Sequence, residues 1–431
     1  MNKVVEKRYL LTFILVTCCF ALWGFANDIT NPMVKAFSKI FRMSVTDGAL
    51  VQLAFYGGYF CMALPAALFV KKHSYKAGLL MGLGLYALGA LMFIPAKATG
   101  SYYPFLIAYF VLTCGLSFLE TTANPYILSL GEKETATRRL NFAQAFNPIG
   151  SLAGMFVAMK FIQAKLNPLS TEERALLNPE QFEAVKNADL TVLSRPYVMI
   201  GAVLVAFFIV IMLLVKTQPK AEETVDQNFG PTVKRLWQNK PYRYGVVAQF
   251  FYVGVQIMCW TFIIQYGTKV FMNEGMTEQA AEVLSQRYNI VAMAIFCASR
   301  FICTFLLRYI SPSKLLTYLG LAGIVLVTGV IFFDGRYGLY CLVAVSACMS
   351  LMFPTIYGIA LTDTGDDAKL GAAGLIMAIL GGSVLPPLQA RIIDGNGIGN
   401  IASVNLSFVL PLICFVVIVL YGRFITKTSK P

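Results

Sequence analysis

Two carboxylates lie within segments that are otherwise apolar enough to cross a membrane. Glu120 stands in "VLTCGLSFLETTANPYILSL", and Asp28 stands in "WGFANDITNPM". Holding either residue charged at the centre of a bilayer costs about 2.5–3.5 kcal/mol on insertion scales. A buried carboxyl avoids that cost by binding a proton. We therefore interpret Glu120 as a group that loads a proton from one side of a membrane and releases it to the other. Asp28 is a second candidate for proton coupling.

Each carboxylate also has a structural interpretation that the sequence leaves open. Arg300 is the basic residue that lies deep in an apolar segment, and an ion pair with it is the alternative role for Glu120. Asp28 lies near the end of its segment, where a carboxylate can cap a helix or shape a loop. Asp28 and Asn31 are three residues apart and therefore share a helical face.

A stripe of amides occupies the segment "NFAQAFNPIG". Asn141, Gln144 and Asn147 recur every three residues and so lie along one side of a helix. Amides offer both donors and acceptors, which sugar hydroxyls require, whereas aromatic rings pack on the apolar face of a pyranose. The same amides would also serve as bonds between membrane helices. The aromatic candidates are Trp23, Tyr56, Trp260 and Phe296.

Composition places these residues in a polytopic, all-α membrane protein. The chain has 431 residues, of which 57% are hydrophobic and 13% charged, against about 25% charged residues in soluble domains. Lipid offers no hydrogen-bond partners, so the backbone must satisfy itself within helices. The first segment follows Lys7 and Arg8 but lacks a cleavage site, so we interpret it as a retained span. The twelve predicted transmembrane helices are residues 9–33, 48–70, 77–95, 104–130, 141–163, 196–215, 244–268, 288–308, 315–333, 338–362, 371–391 and 402–422.

Two hydrophilic connections, 164–195 and 216–243, interrupt this pattern, and the second divides the spans into six and six. We predict an N-terminal six-helix bundle over 1–215, a cytoplasmic linker over 216–243 and a C-terminal six-helix bundle over 244–431. Lysine and arginine are more frequent in the loops on one side, which predicts that both termini are cytoplasmic in a bacterial inner membrane. Two pseudo-symmetric six-helix halves, with mid-span prolines in corresponding helices, are typical of transporters that hold their substrate near the bilayer midplane.

Several functional classes are excluded by the same composition. The net charge of +13 comes from residues in short loops and not from one solvated face, which argues against nucleic acid as a partner. The ten cysteines form no CxxC pair, and the single histidine is His73 in a loop, so we predict neither a metal nor a cofactor. No span contains a histidine or a GxSxG-type nucleophile, so we expect no enzyme activity. The expected partners are a small sugar, protons and the lipid bilayer, with the protein as a monomer.

Eight strings together resemble a known transporter family over nearly the whole chain. They are "LWGFANDITNPM", "QLAFYGGYF", "KKHSYKAG", "GLYALGA", "LETTANPYIL", "RRLNFAQAFNPIG", "QFFYVGVQIMCW" and "FPTIYGIA". They resemble the fucose–galactose–glucose:proton symporter family of the major facilitator superfamily, and most closely its bacterial members that carry L-fucose. The resemblance implies the major facilitator fold and proton-coupled sugar import by alternating access. Transport of glucose, galactose or fructose, with or without protons, is the alternative.

The resemblance also implies roles for individual residues. Glu120 matches the family's coupling glutamate on the fourth span, within LETxANP, and Gln144 and Asn147 match amides that contact sugar. Trp23, Trp260, Phe296 and Arg300 are similar to residues that line the family's central cavity. The full set of predicted substrate-binding residues is Trp23, Asn27, Asn31, Asn124, Gln144, Asn147, Gln256, Trp260, Phe296 and Arg300.

The first span departs from the pattern of the L-fucose carriers. They have an aspartate near the end of this span, in the order A-N-N-x-N-D. Here the order is Ala26-Asn27-Asp28-Ile29-Thr30-Asn31, so Asn31 occupies the aspartate position and the acid lies about one turn earlier. Helical spacing keeps both on one face, which makes Asp28 the candidate substitute. This difference in sequence concerns the identity of the transported sugar and the number of protons transported with it.

Overall fold

The protein is described by a computed structural model that covers residues 5, 7–131, 142–144, 146–215, 229–307, 309–362, 364, 367–399 and 401–428. Within these ranges the chain folds into α-helices joined by short turns, and no β-strand forms. Contacts between Cα atoms divide it into two units. The first contains residues 1–33 and 54–223, and the second contains residues 34–53 and 224–431.

The helices follow the hydropathy pattern closely. Those of the first half are α1 (Leu10–Thr30), α2 (Met33–Phe41), α3 (Val45–Gly48), α4 (Leu50–Lys72), α5 (Tyr75–Leu91), α6 (Phe93–Thr99), α7 (Tyr103–Ser129), α8 (Phe146–Val157), α9 (Thr171–Ala175) and α10 (Pro179–Leu214). Those of the second half are α11 (Phe229–Gln238), α12 (Lys240–Asn273), α13 (Glu278–Leu306), α14 (Pro312–Phe332), α15 (Gly335–Met349), α16 (Met352–Leu361), α17 (Ala368–Met377), α18 (Gly381–Asp394), α19 (Ser403–Leu406) and α20 (Val409–Thr428).

Eleven helical stretches of the described residues are long and apolar enough to cross a membrane. They account for every predicted span except the eighth, which lies within α13. That helix is long enough at 29 residues, but it carries Glu278, Glu282, Arg287 and Arg300. The tenth span is divided between α15 and α16 at Ser350. The boundaries proposed for the two bundles and the linker remain a prediction, and residues 216–228 of the linker lie outside the described ranges.

The predicted connection 164–195 is wrong as a simple loop, because it contains α9 and the first turns of α10. Asn178 caps α10 and Pro179 occupies its first position, a combination that favours helix initiation. The fully buried Arg174 binds the carboxylate of Asp189 at 2.6 Å and so fastens the connection to α10. Hydropathy predicted the second half of α10 as the sixth span but missed its first half, which is polar.

In the first unit, α1 and α8 cross with their backbones in direct proximity. A side chain at Gly24 would collide with the backbone carbonyl of Asn147, and one at Gly150 or Gly154 would collide with a carbonyl of α1. Small residues allow such close approach between membrane helices. The crossing fixes Asn147, at the start of α8, against the middle of α1, and it places Ser151 and Gly154 beside the last turns of α1.

Residues 34–53, which we call the strap, belong to the second unit although they connect α1 to α4. Lys35 lies 2.9 Å from Glu278, and the buried Lys39 lies 3.9 and 4.0 Å from Glu278 and Glu282. Opposite charges that leave water need partners of this kind, since an isolated buried charge is costly. The strap is therefore held on α13 by four charged groups.

The carboxylate of Asp394, the last residue of α18, makes a second attachment of the strap. It accepts hydrogen bonds from the backbone N–H groups of Val45 and Thr46 at 2.8 and 2.6 Å. These two amides begin the short helix α3, where N–H groups have no partner within the helix. A third attachment joins Gln52 to α12, because its amide nitrogen donates to the Thr261 hydroxyl at 3.0 Å.

Candidate functional site

Asp28 lies in the last turn of α1 and is 4% exposed. The side-chain amide of Asn31 donates to its carboxylate at 2.9 Å, and the Ser151 hydroxyl of α8 is a further hydrogen-bonding neighbour. Tyr56 on α4 lies within electrostatic reach of the same carboxylate. The shared helical face of Asp28 and Asn31, expected from their spacing, is thus formed.

Glu120 lies on α7 with 8% of its surface exposed. Its Oε2 atom has no hydrogen-bond partner among the described residues. Tyr59 on α4 is a close neighbour of both Glu120 and Trp23. The Tyr59 hydroxyl and the Trp23 indole nitrogen are also buried, within interaction distance of each other. Three polar groups of the first unit are therefore buried together, and the Oε2 atom of Glu120 has capacity for a further hydrogen bond.

The predicted amides of the first unit divide into two environments. Gln144 is exposed and donates to the side chain of Asn124 at 3.1 Å, and Asn124 in turn donates to the backbone carbonyl of Glu120 at 3.0 Å. Asn147 is half-buried and donates to the carbonyl of Phe20 on α1 at 3.2 Å. Both uses fit the interhelical role that the sequence left open. The side-chain oxygen of Asn27 is buried and has no hydrogen-bond partner among the residues that the structure describes.

The second unit contains a separate aromatic group. Trp260 on α12 and Phe296 on α13 meet edge to face, with ring centroids 5.0 Å apart. The guanidinium carbon of Arg300 lies 4.8 Å from the centroid of the Phe296 ring, a cation–π arrangement. Gln256 is half-buried one turn before Trp260 on the same side of α12. The predicted residues of this unit are thus neighbours along two packed helices.

Hydroxyl and amide groups that the sequence did not suggest fix this aromatic group. The Trp260 indole N–H donates to the Ser346 hydroxyl at 3.1 Å, and Asn289 donates to the Trp260 carbonyl at 3.1 Å. Arg300 donates to the carbonyl of Ser350 at 3.1 Å, at the interruption between α15 and α16. Single serines are common in membrane helices, so the sequence does not distinguish Ser346 and Ser350 from other serines. Their relation to the aromatic group is visible only from their neighbours in the structure.

The predicted residues therefore form two groups, one in each unit. The first comprises Trp23, Asn27, Asp28, Asn31, Glu120, Asn124, Gln144 and Asn147, and the second comprises Gln256, Trp260, Phe296 and Arg300. Asn141, the remaining amide of the predicted stripe, lies outside the described residues. Among the described residues no three histidine, cysteine or acidic side chains are placed to hold a metal ion.

Comparison with known proteins agrees with this architecture. Residues 16–386 match the model of the Major Facilitator Superfamily. The chain is 50% identical to the L-fucose-proton symporter of Haemophilus influenzae, with 97% of each chain covered. It is 33% identical to the L-fucose-proton symporter of Escherichia coli, over 98% of this chain and 95% of that one.

A solved structure gives the same result in three dimensions. The outward conformation of FucP, a Major Facilitator Superfamily transporter, superposes with a TM-score of 0.72 at 32% identity. The match covers 98% of this chain and all of that one. The family model, the two relatives and the solved structure agree with one another, and each covers most of the sequence. This chain is therefore a member of the major facilitator superfamily and a multi-pass membrane protein.

Proposed function

We propose that the protein imports L-fucose together with protons by alternating access. The observation that carries this proposal is Glu120, a buried carboxyl in a membrane helix whose Oε2 lacks a hydrogen-bond partner among the described residues. The two relatives described as L-fucose-proton symporters, at 50% and 33% identity, support the choice of sugar and of coupling.

In the proposed cycle Glu120 binds a proton while its site is open to the outside. Neutralisation lowers the cost of closing an apolar environment around the carboxyl. Asn31, Gln144 and Asn147 then hydrogen-bond the sugar hydroxyls, and the indole rings of Trp23 and Trp260 pack on its apolar face. After the site opens inward the sugar leaves, and Glu120 releases its proton to the more alkaline side.

We further propose that the protein lies in a bacterial inner membrane with both termini in the cytoplasm. The support is the greater frequency of lysine and arginine in the loops that this orientation places inside. The strap and the connection before α10 then face outward. Protons consequently enter from the side on which the strap lies.

Purified protein in liposomes tests the proposal directly. Labelled L-fucose, D-glucose, D-galactose and D-fructose are compared in counterflow, while a membrane-impermeant dye in the external medium records the external pH as each sugar is added. We expect counterflow with L-fucose and an alkaline shift outside. Counterflow without an alkaline shift for any sugar would establish a facilitator, and preference for another hexose would overturn the choice of L-fucose.

Asp28→Asn is expected to reduce uphill uptake of L-fucose by less than about tenfold, the effect of roughly one hydrogen bond. The amide keeps the shape of the group and can still bond Asn31, whereas the charge is lost. Initial uptake under an imposed pH gradient measures the effect. Loss as complete as that expected for a Glu120 variant would instead make Asp28 an equal partner in coupling.

Ser346→Ala is expected to raise the half-saturating L-fucose concentration about fivefold, because the indole N–H of Trp260 loses its acceptor. Maximal exchange velocity should change little, since the substitution touches no proposed coupling group. Thr328→Ala is the control, because the Thr328 hydroxyl bonds a carbonyl of its own helix. Equal half-saturation in both variants would contradict a positioning role for Ser346.

A further inference from the structure

One face of α13 is polar in the first half of the helix. Glu278, Glu282, Gln286 and Asn289 follow at intervals of four, four and three residues, and Phe296 and Arg300 continue the same face. All six except Arg300 are less than a tenth exposed. This face connects the charged attachment of the strap with the aromatic group around Trp260.

Amide atoms on this face have unused hydrogen-bonding capacity. Gln286 is fully buried, and neither its Nε2 nor its Oε1 has a hydrogen-bond partner among the described residues. Asn289 is also fully buried; its Nδ2 binds the Trp260 carbonyl, but its Oδ1 has no such partner there. Native proteins pair nearly all buried polar atoms, so each exception requires an explanation.

A third amide lies at the same level on the neighbouring helix. The Ser285 side chain packs against Gly267, and Asn289 bonds Trp260, which fixes the antiparallel register of α12 and α13. This register brings Gln265 of α12 level with Gln286 of α13. Gln265 is 7% exposed, and both of its amide atoms are buried without a hydrogen-bond partner in the described ranges.

The strap covers this part of the second unit. Lys39 lies beside Glu282, one turn before Gln286, and Gln52 bonds Thr261, the residue next to Trp260. The attachments of the strap thus bracket the three amides at both ends. Departure of the strap would open the polar face of α13 along the whole distance between them.

We propose that Gln265, Gln286 and Asn289 form an outer subsite that binds the sugar before it reaches Trp260, and that the strap must leave for the subsite to fill. The primary amides of these side chains offer both donors and acceptors, as a polyhydroxylated ring requires. The ligand class is a neutral monosaccharide, because the two carboxylates on this face are held by Lys35 and Lys39. This inference rests on the proposed sugar transport.

The subsite predicts an effect that depends on the side of the membrane. In right-side-out vesicles, Gln286→Met and Gln265→Met should each raise the half-saturating L-fucose concentration for exchange about five- to tenfold, as expected for one or two lost hydrogen bonds. In inside-out vesicles the half-saturating concentration should stay within about twofold of wild type. Thermal stability should not fall, since an apolar side chain of similar size replaces amides that lack partners.

Gln389→Met is the matched control. Gln389 is fully buried on α18 and donates to the Ser407 hydroxyl at 3.1 Å, so its replacement should lower stability without changing half-saturation from either side. Gln286→Leu, which also removes the amide, gives the same comparison if the methionine variant does not insert. An unchanged value on both sides, or an equal rise on both, would overturn the outer subsite. Absence of exchange by the wild-type protein would instead reject the proposed function.

Discussion

Glu120→Gln should abolish accumulation of L-fucose against its gradient while exchange of sugar across the membrane continues. One proton per sugar at a potential of 100 mV supports about fiftyfold accumulation, and the variant should bring this ratio to one. Glutamine has the size and hydrogen-bonding shape of a protonated glutamate but cannot release a proton. The measurement is the steady accumulation ratio in energised vesicles, together with counterflow in the absence of a gradient.

Two further variants decide how this result is interpreted. Glu173→Gln makes the same chemical change in the capping box of α9, outside the spans, and should leave accumulation unchanged. Glu120→Asp keeps a titratable group and should retain part of the coupling. If Glu120→Gln still concentrates sugar under a pH gradient, Glu120 is not the coupling group. Loss of both accumulation and exchange would instead favour a structural role for the Glu120 carboxylate.

Lys39→Met is expected to loosen the strap and to destabilise the protein by less than the about 3–5 kcal/mol that removing one partner of a buried charge pair usually costs, because Lys35 stays 2.9 and 3.8 Å from Glu278 and Glu282. The lysine is 1% exposed, and its loss leaves Glu282 buried with weaker compensation. Hydrogen exchange provides a local readout. The backbone amides of Val45 and Thr46 donate hydrogen bonds to Asp394, and their hydrogens should exchange faster in the variant. The amide hydrogens of α7 should exchange at the wild-type rate.

A surface pair and a double variant provide the controls for Lys39. Lys186 pairs at 2.6 Å with Glu183 of α10; the Lys186 side chain is 12% exposed and the Glu183 side chain 55% exposed. Lys186→Met should therefore change stability by less than about 1 kcal/mol. Combining Lys39→Met with Glu282→Gln removes both charges and should restore much of the lost stability. Equal destabilisation by both single lysine variants would mean that burial of Lys39 has no special energetic role.

Hydropathy predicted the membrane helices well because each span is a long continuous run of apolar residues. It missed two features whose causes are not local. The first half of α10 is polar, and its helical state depends on the Asn178 cap and on the Arg174–Asp189 pair. The strap has the composition of an ordinary basic loop, and its position depends on glutamates about 240 residues later in the chain. Neither arrangement has a periodic signature.

The candidate site shows the same division. Glu120, Trp260 and Arg300 could be proposed from the sequence because charged or indole groups stand out within apolar segments, and the structure places Trp260, Phe296 and Arg300 beside one another. Ser346 and Tyr59 were missed because isolated hydroxyls in membrane helices ordinarily bond a carbonyl of the preceding turn. Their relation to the site is visible only in the packing. The binding and coupling roles themselves remain predictions.

The backbone crossing at Gly24, Gly150 and Gly154 has a consequence for spectroscopy. Helices in such direct apposition cannot slide or tilt against each other without a steric clash, so this pair must travel as a single rigid body during turnover. Two spin labels, one on the lipid-facing side of each helix, should therefore report a constant separation whatever the pH or sugar concentration. Such a pair of labels would provide a constant reference distance for measuring the other motions of the carrier.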